Sequence, residues 1–307
     1  NDVFIDNNLG FGHCRLSIID LSNKAHQPMC SYDNRYVIVY NGEIYNFKEL
    51  RLQLLNLGHK FKSKSDTEVV LNSYIEWGEK IVNKLNGMFA FLIWDKKKKE
   101  LFVVRDKFGI KPLYYSINEK KLIISSEIKS LKKFVKLEIN KESLIEYFLT
   151  QNYLNNKTMY KNIFLIEKGC FLKIKKKKII KKKYFNPIDL LFNSSNINDD
   201  CLEKLLDQSV KKQIVSDVPL ASYLSSGLDS SLLTYFASKR IKNLETFTCG
   251  FLTNSKIPKY FDESNDADLI AKKLNVKNKS IFFTPTDLDE NLKSLFEIIE
   301  EPRLGFS

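Results

Sequence analysis

The chain has 307 residues, 43% of them hydrophobic, enough for two modest domains with a core each. No run approaches the roughly 20 apolar residues of a membrane span, and Asn1–Phe4 lacks the basic-then-apolar order of a secretory signal. The net charge is +12, but the lysine runs at 96–99, 175–178 and 181–183 adjoin short apolar segments, as hairpin turns and solvated edge strands do, so no nucleic-acid partner is expected.

In chain order, the first ~185 residues read as strands and hairpins with a few helices. Arg35–Tyr40 is a strand by its aromatic and β-branched content, and Asn41-Gly42 after it is an ordinary turn signal. Phe47, Leu50, Leu54 and Leu57 recur at helical spacing before Gly58. Asp66 is a candidate N-cap for a helix over Thr67–Trp77. Two hairpins follow, Met88–Asp95 with Leu101–Arg105, and Pro112–Ile117 turning at Asn118-Glu119-Lys120 into Leu122–Ser126. Phe108-Gly109 and Lys111-Pro112 are turn chemistry between them, and Glu127 opens a lysine-rich helix. Residues 188–200 turn to Asn, Ser and Asp, which suits a linker.

Beyond the linker, helices and strands alternate. A helix on Leu202, Leu205, Leu206 and Val210 precedes a strand ending at Leu224. Then come a helix, the strand Glu245–Phe251, a helix near Asp266–Leu274 capped by Asp262-Glu263-Ser264, and the strand Ser280–Phe283. That order predicts a parallel sheet with ligands at the carboxyl ends of its strands. Ser225–Ser231 lies at such an end, where hydroxyls, a glycine and a helix N-terminus offer N–H groups to an anion. Cys249 reads as a small buried strand residue. The five cysteines are scattered without a Cys-x-x-Cys, as in a reduced, cytoplasmic protein, and histidines only at 13, 26 and 59 argue against structural zinc.

Several segments resemble the glutamine-hydrolysing asparagine synthetase family: Gly12–Asp20, His26–Met29, Asn41–Asn46, Ser65–Glu68, Leu85–Ala90, Arg105–Leu113 and Val218–Ser231. They run in family order through nearly the whole chain. The resemblance implies an α+β layered N-terminal-nucleophile (glutaminase-like) domain over 1–187, a linker over 188–200, and over 201–307 an incomplete α/β parallel-sheet ATP-pyrophosphatase domain. It implies that Arg15 takes the glutamine α-carboxylate, with Leu16, Ser17, Ile18 and Ile19 beside it, while Glu43 and Asp66 hold the α-ammonium. A planar cationic fork and paired carboxylates suit those charges. The Asn41 amide and the Gly42 N–H would form the oxyanion hole.

In the second part the resemblance assigns Ser225, Ser226, Gly227, Leu228, Asp229, Ser230 and Ser231 to the pyrophosphate of ATP, Asp229 to Mg²⁺, and Leu224 and Cys249 to the adenosine. Ser226 stands where the family usually has glycine, and a positive φ there would cost roughly 1 kcal/mol. The implied reaction joins ATP, aspartate and glutamine-derived ammonia into asparagine; a homodimer is an expectation. The family uses a cysteine at its mature N-terminus whose α-amine is the base; residue 1 here is asparagine, and the chain reads as a fragment lacking the family's first few dozen residues and cut at its other end too, inactive by itself. An amidotransferase of another carboxylate in surface-sugar or antibiotic biosynthesis, a tRNA-modifying pyrophosphate-loop enzyme, and a non-catalytic relative are the alternatives.

Overall fold

A computed structural model describes residues 2–118, 121–176, 178–191, 199–252 and 262–301. The chain divides into two compact units, residues 1–194 with 299–307, and residues 195–298.

The first unit is built on a six-stranded antiparallel sheet. Its strand order is Lys178–Lys183, Cys170–Lys175, Glu100–Arg105, Gly87–Asp95, Tyr36–Ile44, Met29–Cys30. The two long strands Gly87–Asp95 and Tyr36–Ile44 read as nearly unbroken apolar runs because both faces of the sheet are covered. Val37, Val39, Ala90, Trp94, Leu101 and Val103 pack on one side against Phe11, Leu113 and Ile166. These partners come from or beside the hairpin Asp2–Asp6/Leu9–His13 and a small sheet of Leu122–Ser125, Tyr114–Ile117 and Phe164–Leu165. On the opposite face the Tyr74 ring, from the helix Asp66–Trp77, stacks on Phe102 at 4.8 Å, and Phe102 meets Phe91 and Phe171. The unit is therefore a layered α+β body, and the candidate site lies at the end of the pair Gly87–Asp95 and Tyr36–Ile44.

Both expected hairpins form, although Glu119 and Lys120 of the second turn lie outside the described residues. The Asn41-Gly42 turn does not. The strand runs on to Ile44, with Asn41 opposite Ala90 and Gly42 opposite Phe89, because pairing along the whole strand outweighs the local turn preference. Gly42 and Gly87 are needed there for close approach: a Cβ on Gly42 would sit 2.2 Å from the Met88 carbonyl oxygen, and one on Gly87 2.1 Å from that of Glu43. In the stretch expected as linker, Ile188–Leu191 form one helical turn and the next helix begins at Asp199, while residues 192–198 lie outside the described residues.

The second unit is the expected parallel sheet, in the order Ala221–Tyr223, Glu245–Phe251, Lys277–Phe283. Its helices are Asp199–Gln213, Leu228–Ser238, Ser264–Leu274 and Pro285–Ile299. Val210, Phe236, Ala237 and Leu244 form one core cluster, and Leu224, Ala267 and Ala271 another. Among the described residues no helix is long and apolar enough to cross a membrane.

Candidate active site

In an antiparallel strand the N–H groups of alternate residues point to opposite flanks. Tyr40 and Ile44 turn theirs away from the neighbouring Gly87–Asp95 strand. The Tyr40 N–H donates to Gln27 Oε1 at 2.7 Å, and the Ile44 N–H to Asp66 Oδ2 at 3.1 Å. Gly42 lies between them with the same parity, so its N–H is presented on that flank, framed by Gln27 and Asp66. Asn41 and Glu43 point their side chains to the face that carries Val37 and Val39. The Asn41 amide reaches the Ser126 hydroxyl at 3.5 Å.

Tyr40 ties this flank together. Its carbonyl accepts from His13 Nε2 at 3.0 Å and from Gln27 Nε2 at 3.1 Å, and its hydroxyl donates to Asp66 at 2.7 Å. Burial keeps the phenol protonated and pushes the His13 imidazole below its usual pKa, so His13 is neutral and donates from Nε2. Neither Tyr40 nor Gln27 was assigned a site role from sequence. Gln27 carries a signal in sequence, its place in the family-like segment His26–Met29; Tyr40 in an apolar run carries none.

Asp66 does not cap its helix. Ser65 does, its hydroxyl accepting the Glu68 N–H, and Asp66 is the first helical residue. That shift of one position leaves its carboxylate free of the capping duty and aims it at Tyr40 and Ile44, with the Thr67 N–H at 2.9 Å. Burial nevertheless raises its pKa against those donors. Glu43, half-buried, is pushed up to about 7, first by burial and then by the Asp66 charge, with Lys111 opposing. The structure thus brings Asn41, Gly42, Glu43 and Asp66 together.

Arg15 follows the Leu9–His13 strand, and its guanidinium donates to the carbonyls of Ile19 at 2.8 Å and Asp20 at 2.5 Å. It therefore staples the 15–20 loop into a curl, with Leu16 and Ile18 exposed, Ser17 half-buried and Ile19 buried. The loop over Arg105–Leu113 is structural. Arg105 donates to the carbonyls of Gly109, Lys111 and Ile166.

In the second unit, Leu224 is buried at the strand end and Gly227 is the N-cap of the helix Leu228–Ser238. Ser230 Oγ bonds Ser225 Oγ at 2.8 Å and accepts the Ser225 N–H at 3.2 Å, and Ser231 Oγ donates to the Gly227 carbonyl. These bonds fix the bend between strand and helix, while Leu228 and Asp229 in the first helical turn stay exposed. Ser226 is absent from the positive-φ residues, so the expected strain is not there. Its N–H donates to Glu263 Oε2 at 3.3 Å, so Glu263 serves this bend, and Asp262 accepts the Ser264 N–H instead. Cys249 is exposed and not buried as expected: on its strand Thr246, Thr248 and Gly250 take the buried face.

The glutamine amidotransferase domain model matches residues 1–185, and the asparagine synthase model residues 201–307. Asparagine synthetase [glutamine-hydrolyzing] 1 of Bacillus subtilis is 37% identical over 305 residues, 97% of this chain and 47% of its own length. Its homologue numbered 2 in that organism is 36% identical over 321 residues, 98% of this chain and 42% of its own length. The chain spans less than half the length of these relatives. Among solved structures, the glutamine phosphoribosylpyrophosphate amidotransferase from B. subtilis complexed with ADP and GMP superposes at TM-score 0.41 and 17% identity, over 87% of this chain and 50% of that one. The chain belongs to the glutamine amidotransferase domain family and carries behind that domain a segment of the asparagine synthase family.

Proposed function

We propose that this chain holds the glutamine site and the pyrophosphate loop of an asparagine synthetase. ATP adenylates the aspartate β-carboxylate, and ammonia from glutamine displaces AMP, giving asparagine, glutamate and pyrophosphate. The observation that carries the reading is the Gly42 N–H presented between Gln27 and Asp66, beside the Asn41 amide and the Glu43 carboxylate. An amide donor next to a backbone N–H suits the oxyanion of a tetrahedral intermediate. Glu43 and Asp66 would receive the α-ammonium, and Arg15 with the backbone of Leu16–Ile19 the α-carboxylate. The B. subtilis relatives, named as glutamine-hydrolysing asparagine synthetases, support the same assignment.

In the second unit Ser225–Ser231 would hold the pyrophosphate of ATP at a helix N-terminus, with Leu224 and Cys249 at the adenosine. The Asp229 carboxylate is exposed in the first turn beside this bend, which fits Mg²⁺, an ion usually held by one or two carboxylates plus phosphate oxygens. When bound, the ion neutralises phosphate charge; the chain's own residues orient the nucleotide. The five free cysteines support a reducing, cytoplasmic setting.

In the full-length protein, Arg15→Ala is expected to abolish glutamine-dependent asparagine formation and leave ammonia-dependent formation intact, as read by product mass spectrometry. Loss of both activities refutes the assignment. The pH response tests Glu43 separately. With its pKa at about 7 in the empty pocket, glutamine must bind to the ionised form and release the proton. Affinity for glutamine should then rise with pH, by about tenfold between pH 6 and 8. Glu43→Gln should flatten that profile, and a wild-type affinity independent of pH over this range contradicts the role.

A further inference from the structure

The loop that carries Arg15 and the helix that starts at Asp66 are far apart in sequence, yet one buried side chain joins them. Asp20 Oδ2 accepts the Lys64 N–H at 2.6 Å, just ahead of Ser65 and Asp66. Its Oδ1 accepts the Ser22 N–H at 3.0 Å and the Ser22 hydroxyl at 2.6 Å, while its carbonyl takes the Arg15 guanidinium. The far end of this joint is already rigid. Glu68 accepts the N–H groups of Lys62 at 2.8 Å and Ser63 at 2.7 Å, Ser65 accepts the Glu68 N–H as the helix cap, and the Ser65 N–H donates to the Ser63 hydroxyl at 3.3 Å. Lys64 therefore offers a fixed donor, and the bond to Asp20 decides where the Arg15 loop lies relative to the helix start. Burial pushes the Asp20 carboxyl up, but the Ser22 and Lys64 donors and the Arg15 charge outweigh it and hold the pKa below the usual carboxylate range.

We propose that Asp20 is a positioning residue that sets the separation between Arg15 and Asp66, and thereby selects amide donors bearing both an α-carboxylate and an α-ammonium group. The proposal rests on the glutamine-site reading above. Two charges held at a fixed spacing reward a ligand that spans them; a ligand engaging either one alone is indifferent to the spacing.

Asp20→Asn keeps the shape and places an amide N–H against a backbone donor. Its test compares dissociation constants on the complete chain for L-glutamine, for 4-carbamoylbutanoate, which lacks the ammonium, and for 4-aminobutanamide, which lacks the carboxylate. Calorimetry reads the first, and competition against labelled L-glutamine the other two. The variant should bind L-glutamine about tenfold more weakly and each single-charge analogue within about twofold of wild type. Ser22→Ala, which leaves the Lys64 bond in place, should stay within about twofold for all three. Equal losses for all three ligands, unchanged L-glutamine binding in Asp20→Asn, or a tenfold loss in Ser22→Ala would each overturn the proposal. Failure of the wild-type chain to bind L-glutamine would instead remove the glutamine-site reading itself. Melting temperatures of both variants verify that they are folded.

Discussion

Asp106→Ala is expected to destabilise the first unit by about 4 kcal/mol, out of a typical total of about 5–15. Asp106 is 1% exposed, and its carboxylate accepts backbone N–H groups on both oxygens. Oδ1 takes Phe108 at 3.1 Å and Ile110 at 2.9 Å; Oδ2 takes Phe89 at 3.2 Å and Lys111 at 2.9 Å. Removing the acceptor strands these donors where water has poor access, and each stranded buried group costs roughly 1–3 kcal/mol before relaxation. Phe89 is also the residue opposite Gly42, so the loss propagates to the strand that bears the candidate oxyanion donors. Urea denaturation followed by tryptophan fluorescence measures it. A transition midpoint within experimental scatter of wild type would show that water replaces the carboxylate.

Gly42→Ala is the second large effect. The added methyl would lie 2.2 Å from the Met88 carbonyl oxygen and 2.7 Å from Phe89 Cα, both of them backbone, so no side chain can move aside. The strands Tyr36–Ile44 and Gly87–Asp95 must separate locally, at a cost of about 3 kcal/mol. Gly87→Ala makes the mirror-image conflict with Glu43 and should cost as much. Hydrogen exchange should accelerate at Ala90 and Asn41, which pair beside the conflict. Wild-type exchange rates at both amides would mean that the approach of these strands is looser than described.

Much of the layered body was legible because hairpins and alternating helices and strands are local signals. The Met88–Asp95 and Leu101–Arg105 runs announce a buried antiparallel pair by their β-branched and aromatic content, and the helix–strand rhythm after residue 200 announces a parallel sheet. The candidate site was legible only where a segment resembled a family. Asn41-Gly42 misled, since a dipeptide that turns in isolation is overruled when strands on either side register for nine residues. Asp66 misled by one position, because serine and aspartate are both good caps and only the geometry of Glu68 settles which is used. Tyr40 and Asp20 act through partners 26 and 44 positions away, and no local pattern encodes such contacts.

The strand Tyr36–Ile44 has one more consequence. Its side chains alternate in a two-residue repeat, with Asn41 and Glu43 on one face and Tyr40 and Ile44 on the other, inside a continuous ladder with Gly87–Asp95. A single inserted or deleted amino acid would swap every group to the wrong side at once. An added residue is therefore better absorbed in a turn such as Lys96–Lys99 than within this stretch.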